Sequence, residues 1–173
     1  MDIHLVPGAE ATAAIAERMP AALPGVITVF AYRRKSLRAA EVAARLTRRL
    51  PPAHTRFSEN TPNILALIAG AAAVVFPVDD LWGKVDLPIV LLEAMALGVP
   101  VAVLDQGPLQ DLQSVLKVPN LDAGRWLAEL SSLLGDSERC AALVAGQRAA
   151  LSERHAASVV ARAYEDLYLE LAR

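Results

Sequence analysis

Short apolar runs alternate with longer amphipathic stretches along the whole chain. The short runs are rich in β-branched and aromatic residues and predict strands, whereas apolar positions three and four apart predict helices. The predicted strands are residues 3–6, 26–32, 54–57, 72–76, 101–104 and 115–119. The predicted helices are residues 9–23, 36–50, 61–70, 88–97, 122–134 and 137–171, the last broken near Gly146 or Ser152.

Strands and helices alternate, and no pair of strands is joined by a two-residue hairpin turn. This order predicts an α/β fold with a mostly parallel sheet of five or six strands and helices on both faces. Ligands in such sheets bind outside the carboxyl ends of the strands. We therefore expect the functional site among the loops that follow residues 6, 32, 76 and 104, in one domain that spans residues 1–173.

Residues at the predicted helix ends follow known capping preferences. Ser36 and Thr61 are predicted N-caps, and Pro88 is expected in the first turn of its helix. Gly98 stands where a helix end favours a residue that tolerates positive φ. These signals place a helix, a tight turn and a buried strand within residues 85–104.

Glu93 is the one charged residue in the predicted helix 88–97, and its helical neighbours are apolar. A buried carboxylate without partners would cost several kcal/mol. Two interpretations remain. Glu93 lies at a partly exposed edge of a mostly buried helix, or it faces a ligand.

Composition excludes several classes of function. The chain has 173 residues, 54% hydrophobic and 5% aromatic, with a net charge of −2, which favours a compact α/β protein and gives no basic field for nucleic acid. A single cysteine, Cys140, suggests a reducing compartment, so we expect the cytoplasm, with the chain free or peripheral at the inner membrane surface. The start does not read as a signal peptide, and the apolar runs 64–78 and 87–104 do not read as transmembrane. The three histidines show no metal spacing, so no metal site is expected.

The loop 77–86 carries polar residues and leads straight into the N-terminus of a predicted helix. Backbone N–H groups and the helix dipole there favour an anion such as a diphosphate, and Lys84 adds a cation. A solvated surface loop is the alternative. Arg33 and Lys35, which follow the second predicted strand, are further candidates for neutralising a diphosphate, although a charged helix start on the surface would look the same.

Residues 88–103, PIVLLEAMALGVPVAV, resemble the C-terminal-domain signature of GT-B nucleotide-sugar glycosyltransferases. The similarity is strongest to the retaining family with a paired-glutamate motif, E-x7-E. The resemblance makes Glu93 the second glutamate, which is expected to hold the donor ribose. Val85 stands where the first glutamate is expected, and Asp79, Asp80 or Asp86 are the available replacements.

The resemblance implies a single Rossmann-like domain that binds a nucleoside-diphosphate sugar such as a UDP- or GDP-sugar, without a further cofactor. It assigns no catalytic residue. The donor-binding residues that the resemblance and the rim together predict are Glu93, Lys84, Asp86, Leu87, Pro88, Pro77, Gly107, Arg33 and Lys35.

A GT-B enzyme needs a second, acceptor-binding domain, for which this chain has no room. The chain is then a fragment of a longer enzyme, a natural half with a separate partner chain, or a degenerate non-catalytic nucleotide-binding or protein-interaction module. The last predicted helix carries an apolar stripe, Tyr164, Leu167, Tyr168 and Leu171. The stripe either packs on its own domain or forms a docking patch, for the acceptor domain or for a homodimer.

Overall fold

The computed structural model describes residues 6–33, 37–78 and 87–173. The five strands in these residues are β1 (Thr28–Tyr32), β2 (Thr55–Glu59), β3 (Val74–Phe76), β4 (Val101–Leu104) and β5 (Leu116–Val118). The α-helices there are α1 (Val6–Ala22), α2 (Leu37–Arg49), α3 (Ile64–Ala69), α4 (Ile89–Ala96), α5 (Ala123–Leu134), α6 (Ser137–Ala150) and α7 (Ala157–Leu171). A 3₁₀ turn, Gly107–Leu109, and a π turn, Leu151–His155, complete the order.

All strand pairs in the described residues are parallel, as the alternation of elements predicts. β1 pairs with β2, and Phe30 stands opposite Phe57 with the two rings stacked 4.9 Å apart. β3, β4 and β5 form a second group in that spatial order. No ladder of backbone hydrogen bonds joins the two groups within residues 6–33, 37–78 and 87–173.

Helix α1 packs against both groups of strands. Its alanines Ala9, Ala13 and Ala16 lie in one apolar cluster with Phe30 of β1 and with the buried face of α2. Ile15 and Met19 of the same helix lie in a second cluster, with β4, β5 and α5. Small side chains let α1 approach α2 closely, while the larger ones fill the space over the other strands. α1 therefore connects the pair β1 and β2 to the group β3, β4 and β5 by packing against both.

Strand β4 is buried over its whole length, and its side chains point alternately to two apolar clusters. Val101 and Val103 lie in the cluster with α4. Ala102 and Leu104 lie in the cluster with α1 and α5. Because successive side chains of a strand point to opposite faces, this division shows that helices cover both faces of the sheet, as expected from the sequence.

The turn between α4 and β4 is fixed by a glycine and a buried amide. Gly98 has a φ of +74°, as the sequence predicts for this helix end, and a Cβ there would lie 2.6 Å from the Arg148 guanidinium. Gln147 of α6 is fully buried. Its Nε2 donates to the carbonyl of Val99 over 3.1 Å, and its Oε1 accepts from the N–H of Val101 over 3.3 Å. α6 is thereby held to the start of β4.

Two sequence predictions about element ends are wrong. Residues 3–5 lie outside the described part, but Val6 begins α1 rather than ending a strand, because Pro7 and Gly8 are accommodated in the first turn of a helix. α3 begins after Asn63, whose side chain accepts from the N–H of Ala66 over 2.9 Å. Asn63 therefore takes the capping role expected of Thr61.

The remaining boundaries agree closely with the patterns. The predicted break in the last helix falls at the π turn, which contains Ser152. Ser36, the other predicted cap, lies outside the described residues. Pro88 is at the N-cap position of α4, just before the first turn in which it was expected. No helix in the described residues is both long enough and apolar enough to cross a membrane.

Candidate functional site

The candidate site lies where β3 ends and α4 begins. Pro77 directly follows β3 and is buried, and the next described residues after Val78 are Leu87 and Pro88, which are half-buried. Pro88 has the extended backbone of an N-cap and no side-chain cap, and its carbonyl accepts from the N–H of Leu91 over 3.0 Å. The first backbone N–H groups of α4 are therefore available to an anion, and the helix dipole favours one there.

Glu93 lies on the half-exposed face of α4. Leu91, Ala94 and Met95, on the opposite side of the helix, are fully buried, whereas Ile89, one turn before Glu93, is 69% exposed. The Glu93 side chain is half-buried and makes no hydrogen bond or ion pair with any described residue. Glu93 therefore lies on the partly exposed face of α4, and its hydrogen-bonding capacity is open to a ligand.

Gly107 follows β4, the strand next to β3, and opens the 3₁₀ turn. Its φ is +64°, in the region that favours glycine, and the residue is exposed. The carboxyl ends of parallel neighbouring strands lie at one edge of the sheet. Gly107 and the start of α4 are thus on the same edge.

Of the three basic candidates, the structure describes only Arg33, and Arg33 lies in the other group of strands from α4. Arg33 directly follows β1, in the other group of strands, and its exposed side chain makes no hydrogen bond or ion pair with a described residue. Lys35, Lys84 and Asp86 lie outside the described residues, as do Asp79, Asp80 and Val85. Their predicted roles stay predictions.

A polar cluster at the carboxyl ends of β1 and β2 was not predicted. Tyr32 and Glu59 are register partners, and the tyrosine hydroxyl donates to the Glu59 carboxylate over 3.3 Å. Asn60, with a φ of 49°, donates its backbone N–H to the Tyr32 carbonyl over 2.8 Å. Strand register decides this pairing, and the sequence alone does not give the register.

Helix α7 has no buried residue. The stripe predicted from its spacing is exposed along its length, with Tyr164 at 57%, Leu167 at 47%, Tyr168 at 66% and Leu171 at 74%. The stripe therefore does not pack on its own domain. Among the described residues, no group of three or more histidine, cysteine, aspartate or glutamate side chains could hold a metal ion.

Comparison with known proteins identifies the family. The family described as "Glycosyl transferases group 1" matches residues 9–136, most of the chain. The chain belongs to this family. No curated protein matches it significantly.

A solved structure of a mutant S. aureus TarM in complex with Fondaparinux, alpha-GlcNAc-glycerol and UDP is similar to this group 1 glycosyl transferase chain, with a TM-score of 0.67 and 14% sequence identity. The similarity covers 92% of this chain and 32% of the TarM chain. It confirms a Rossmann-like fold of the GT-B type. This chain spans about a third of the length of the protein it resembles.

Proposed function

We propose that this chain is the donor-binding half of a retaining GT-B glycosyltransferase of the E-x7-E family, with Val85 in place of the first glutamate. Its ligand is a nucleoside-diphosphate sugar, such as a UDP- or GDP-sugar. The observation that carries the proposal is Glu93, a half-buried carboxylate that makes no bond to a described residue and lies one turn inside a helix whose N-terminus has no side-chain cap. Membership of a glycosyl transferase family supplies the class of reaction.

The proposed contacts follow from the chemistry of each group. The first N–H groups of α4, after Leu87 and Pro88, hold the diphosphate, because they lack intrahelical acceptors. The Glu93 carboxylate accepts hydrogen bonds from the ribose hydroxyls, and such bonds to an ionised acceptor are strong. Gly107 lets the backbone approach the donor closely. The further proposed contacts are Pro77, Lys84, Asp86, Arg33 and Lys35.

Residues 1–173 form, in this proposal, a single domain of the C-terminal GT-B type. The acceptor binds to a second domain, which is in the same polypeptide or in another chain. Holding two reactants in reacting geometry supplies a large part of transfer catalysis, and one domain holds only the donor. The proposed compartment is the cytoplasm or the inner membrane surface, in keeping with the single cysteine, Cys140.

The isolated chain is expected to bind UDP or GDP but to transfer little or no sugar. Calorimetric titration measures binding, and release of the nucleoside diphosphate from its labelled sugar donor measures transfer, with and without an added acceptor-binding domain. Transfer that depends on the added domain would support the proposal. Binding of neither nucleotide by the folded chain would contradict it and would favour a non-catalytic interaction module.

The exposed stripe of α7 favours a protein-interaction surface, which fits both the donor-binding half of an enzyme and the second candidate function, a non-catalytic interaction module. We propose that this stripe docks on the acceptor-binding domain, and that the isolated chain forms a homodimer through it instead. Replacing both Tyr168 and Leu171 with glutamate is expected to abolish self-association, because both side chains are mostly exposed and buried charges in an apolar contact are costly.

Light scattering at increasing protein concentration measures the mass of the wild type and of the double variant. Arg162→Glu, on the same exposed helix, is the control and should dimerise like the wild type. A wild type that stays monomeric at high concentration would rule out the homodimer. Circular dichroism checks that the double variant remains folded, as its exposed positions predict.

A further inference from the structure

The 3₁₀ turn that follows β4 is anchored to the neighbouring strand β5. Before the turn, the N–H of Asp105 donates to the carbonyl of Val118 over 2.8 Å. The Gln106 side chain donates through Nε2 to the carbonyl of Pro119, just after β5, over 2.7 Å. Gly107, which opens the turn, is exposed directly after these two anchors. β5 therefore fixes the chain as it enters the turn.

One ammonium group contacts the chain on both sides of the turn. The Nζ of Lys117 on β5 lies 3.5 Å from Oδ1 of Asp105, and it also donates a hydrogen bond to the carbonyl of Gln110. Asp105 precedes the turn Gly107–Leu109, and Gln110 directly follows it. Because a single side chain holds both ends, the turn opens only if these contacts break.

Strand register places Lys117 on the same face of the sheet as α4. Lys117 is the register partner of Val103 on β4, and partners in parallel strands point to the same face. Val103 lies in the apolar cluster that contains the buried side of α4, and the buried Leu109 of the turn lies in the same cluster. The Lys117 ammonium therefore acts on the turn from the side of the sheet that carries the candidate donor site.

The contacts of Lys117 are suited to holding a local conformation rather than the whole fold. The side chains of Lys117 and Asp105 are 33% and 39% exposed. Ion pairs that are this accessible to water contribute little to global stability. A hydrogen bond from a charged donor is nevertheless stronger than one from a neutral donor, so it can decide between two arrangements of an exposed loop.

We propose that Lys117 is a positioning residue for nucleotide binding, which keeps the backbone of Gly107 in the conformation that approaches the donor. The inference rests on the proposed function, in which Gly107 contacts the donor. Loss of the ammonium group leaves the fold intact but lets the turn adopt other conformations. The apparent affinity for the nucleotide then falls in proportion to the fraction of molecules that keep the binding conformation.

Replacing Lys117 with methionine, which keeps an unbranched side chain but removes its charge, is expected to weaken the binding of UDP or GDP by about threefold to tenfold. Lys117→Arg keeps a cation with hydrogen-bond donors and should bind like the wild type. Arg125→Met is the matched control, because it removes the cation of another partly exposed ion pair, with Glu129 on α5. Calorimetric titration measures the affinities, and urea denaturation should show similar unfolding transitions for all four proteins.

Amide NMR of the nucleotide-free full chain separates positioning from direct contact with the ligand. We expect Lys117→Met to shift the amide signals of Gly107 and Leu109, and saturating nucleotide to move them back towards the wild-type positions. Loss of affinity without these shifts would mean that Lys117 acts on the nucleotide directly, which overturns the inference. Equal loss of affinity in the methionine and arginine variants also overturns it, because the arginine keeps the charge.

Failure of the proposed function gives a different result. If the folded wild type binds neither UDP nor GDP, the proposed function and this inference are both wrong. If the wild type binds a nucleotide and Glu93→Ala weakens the binding but Lys117→Met does not, only the inference about Lys117 is wrong.

Discussion

Replacing Glu93 with alanine is expected to weaken the binding of UDP or GDP by about tenfold to a hundredfold. Hydrogen bonds to a charged group contribute about 1.5–3 kcal/mol each, and the proposed ribose contacts lose their only ionised acceptor on α4. The fold should be unaffected, because the side chain makes no bond to a described residue and alanine favours a helix. Calorimetric titration of both proteins with each nucleotide measures the difference.

Two further variants make the Glu93 experiment specific. Glu93→Gln keeps the shape of the side chain but removes its charge, so it should lose less affinity than the alanine variant. Glu41→Ala removes an exposed carboxylate on α2, a different helix from that of Glu93, and should bind each nucleotide like the wild type. Equal affinity in the wild type and in Glu93→Ala would show that Glu93 does not contact the nucleotide.

Replacing Trp126 with alanine is expected to lower the free energy of unfolding by about 3–5 kcal/mol, the usual cost of deleting a large buried aromatic side chain. Trp126 is fully buried on α5, among Ile15 of α1 and Leu130. Its Nε1 also donates to the carbonyl of Asn120 over 2.8 Å. The substitution thus leaves a cavity beside α1 and removes the hydrogen bond to the Asn120 carbonyl.

Urea denaturation of the wild type and the Trp126 variant measures this loss. Leu169→Ala is the control, because Leu169 is 65% exposed and its removal should change stability by about 0.5 kcal/mol or less. Nucleotide affinity of the folded fraction should stay unchanged, since Trp126 lies in the cluster on the opposite face of the sheet from α4. If the wild type and the Trp126 variant unfold at the same urea concentration, the apolar cluster around α5 contributes little to the free energy of unfolding.

The sequence predicted the helix, turn and strand around Glu93 because their signals are local. Pro88 is compatible with a helix start but not with a helix interior, Gly98 suits a positive φ, and a continuous apolar run is typical of a strand such as β4, which is buried on both faces. A break in the last helix was predicted near Gly146 or Ser152, and the π turn contains Ser152, whereas Gly146 lies inside α6. These features depend on the stereochemistry of a few neighbouring residues, which a single sequence carries.

Predictions failed where the local sequence is equally compatible with two different structures. Thr61-Pro62 is a sound helix start, yet Asn63 caps α3, while Thr61 bonds to Ser58 at the end of β2. Val6 and the Pro7-Gly8 pair could end a strand or open a helix, and they open one. The choice depends on how the chain leaves one element and packs on the next, so propensity alone does not make it.

Other features belong to the tertiary structure alone. The apolar stripe of α7 has the same spacing whether the helix packs on its own domain or not, and only the fold decides that Tyr168 and Leu171 are exposed. Strand register brings Tyr32 to Glu59. From the sequence by itself came the fold class, the unit around Glu93 and the family resemblance. Contacts between distant segments decided the exposure of α7 and the strand register, because the geometry of such contacts depends on packing and not on the local sequence pattern.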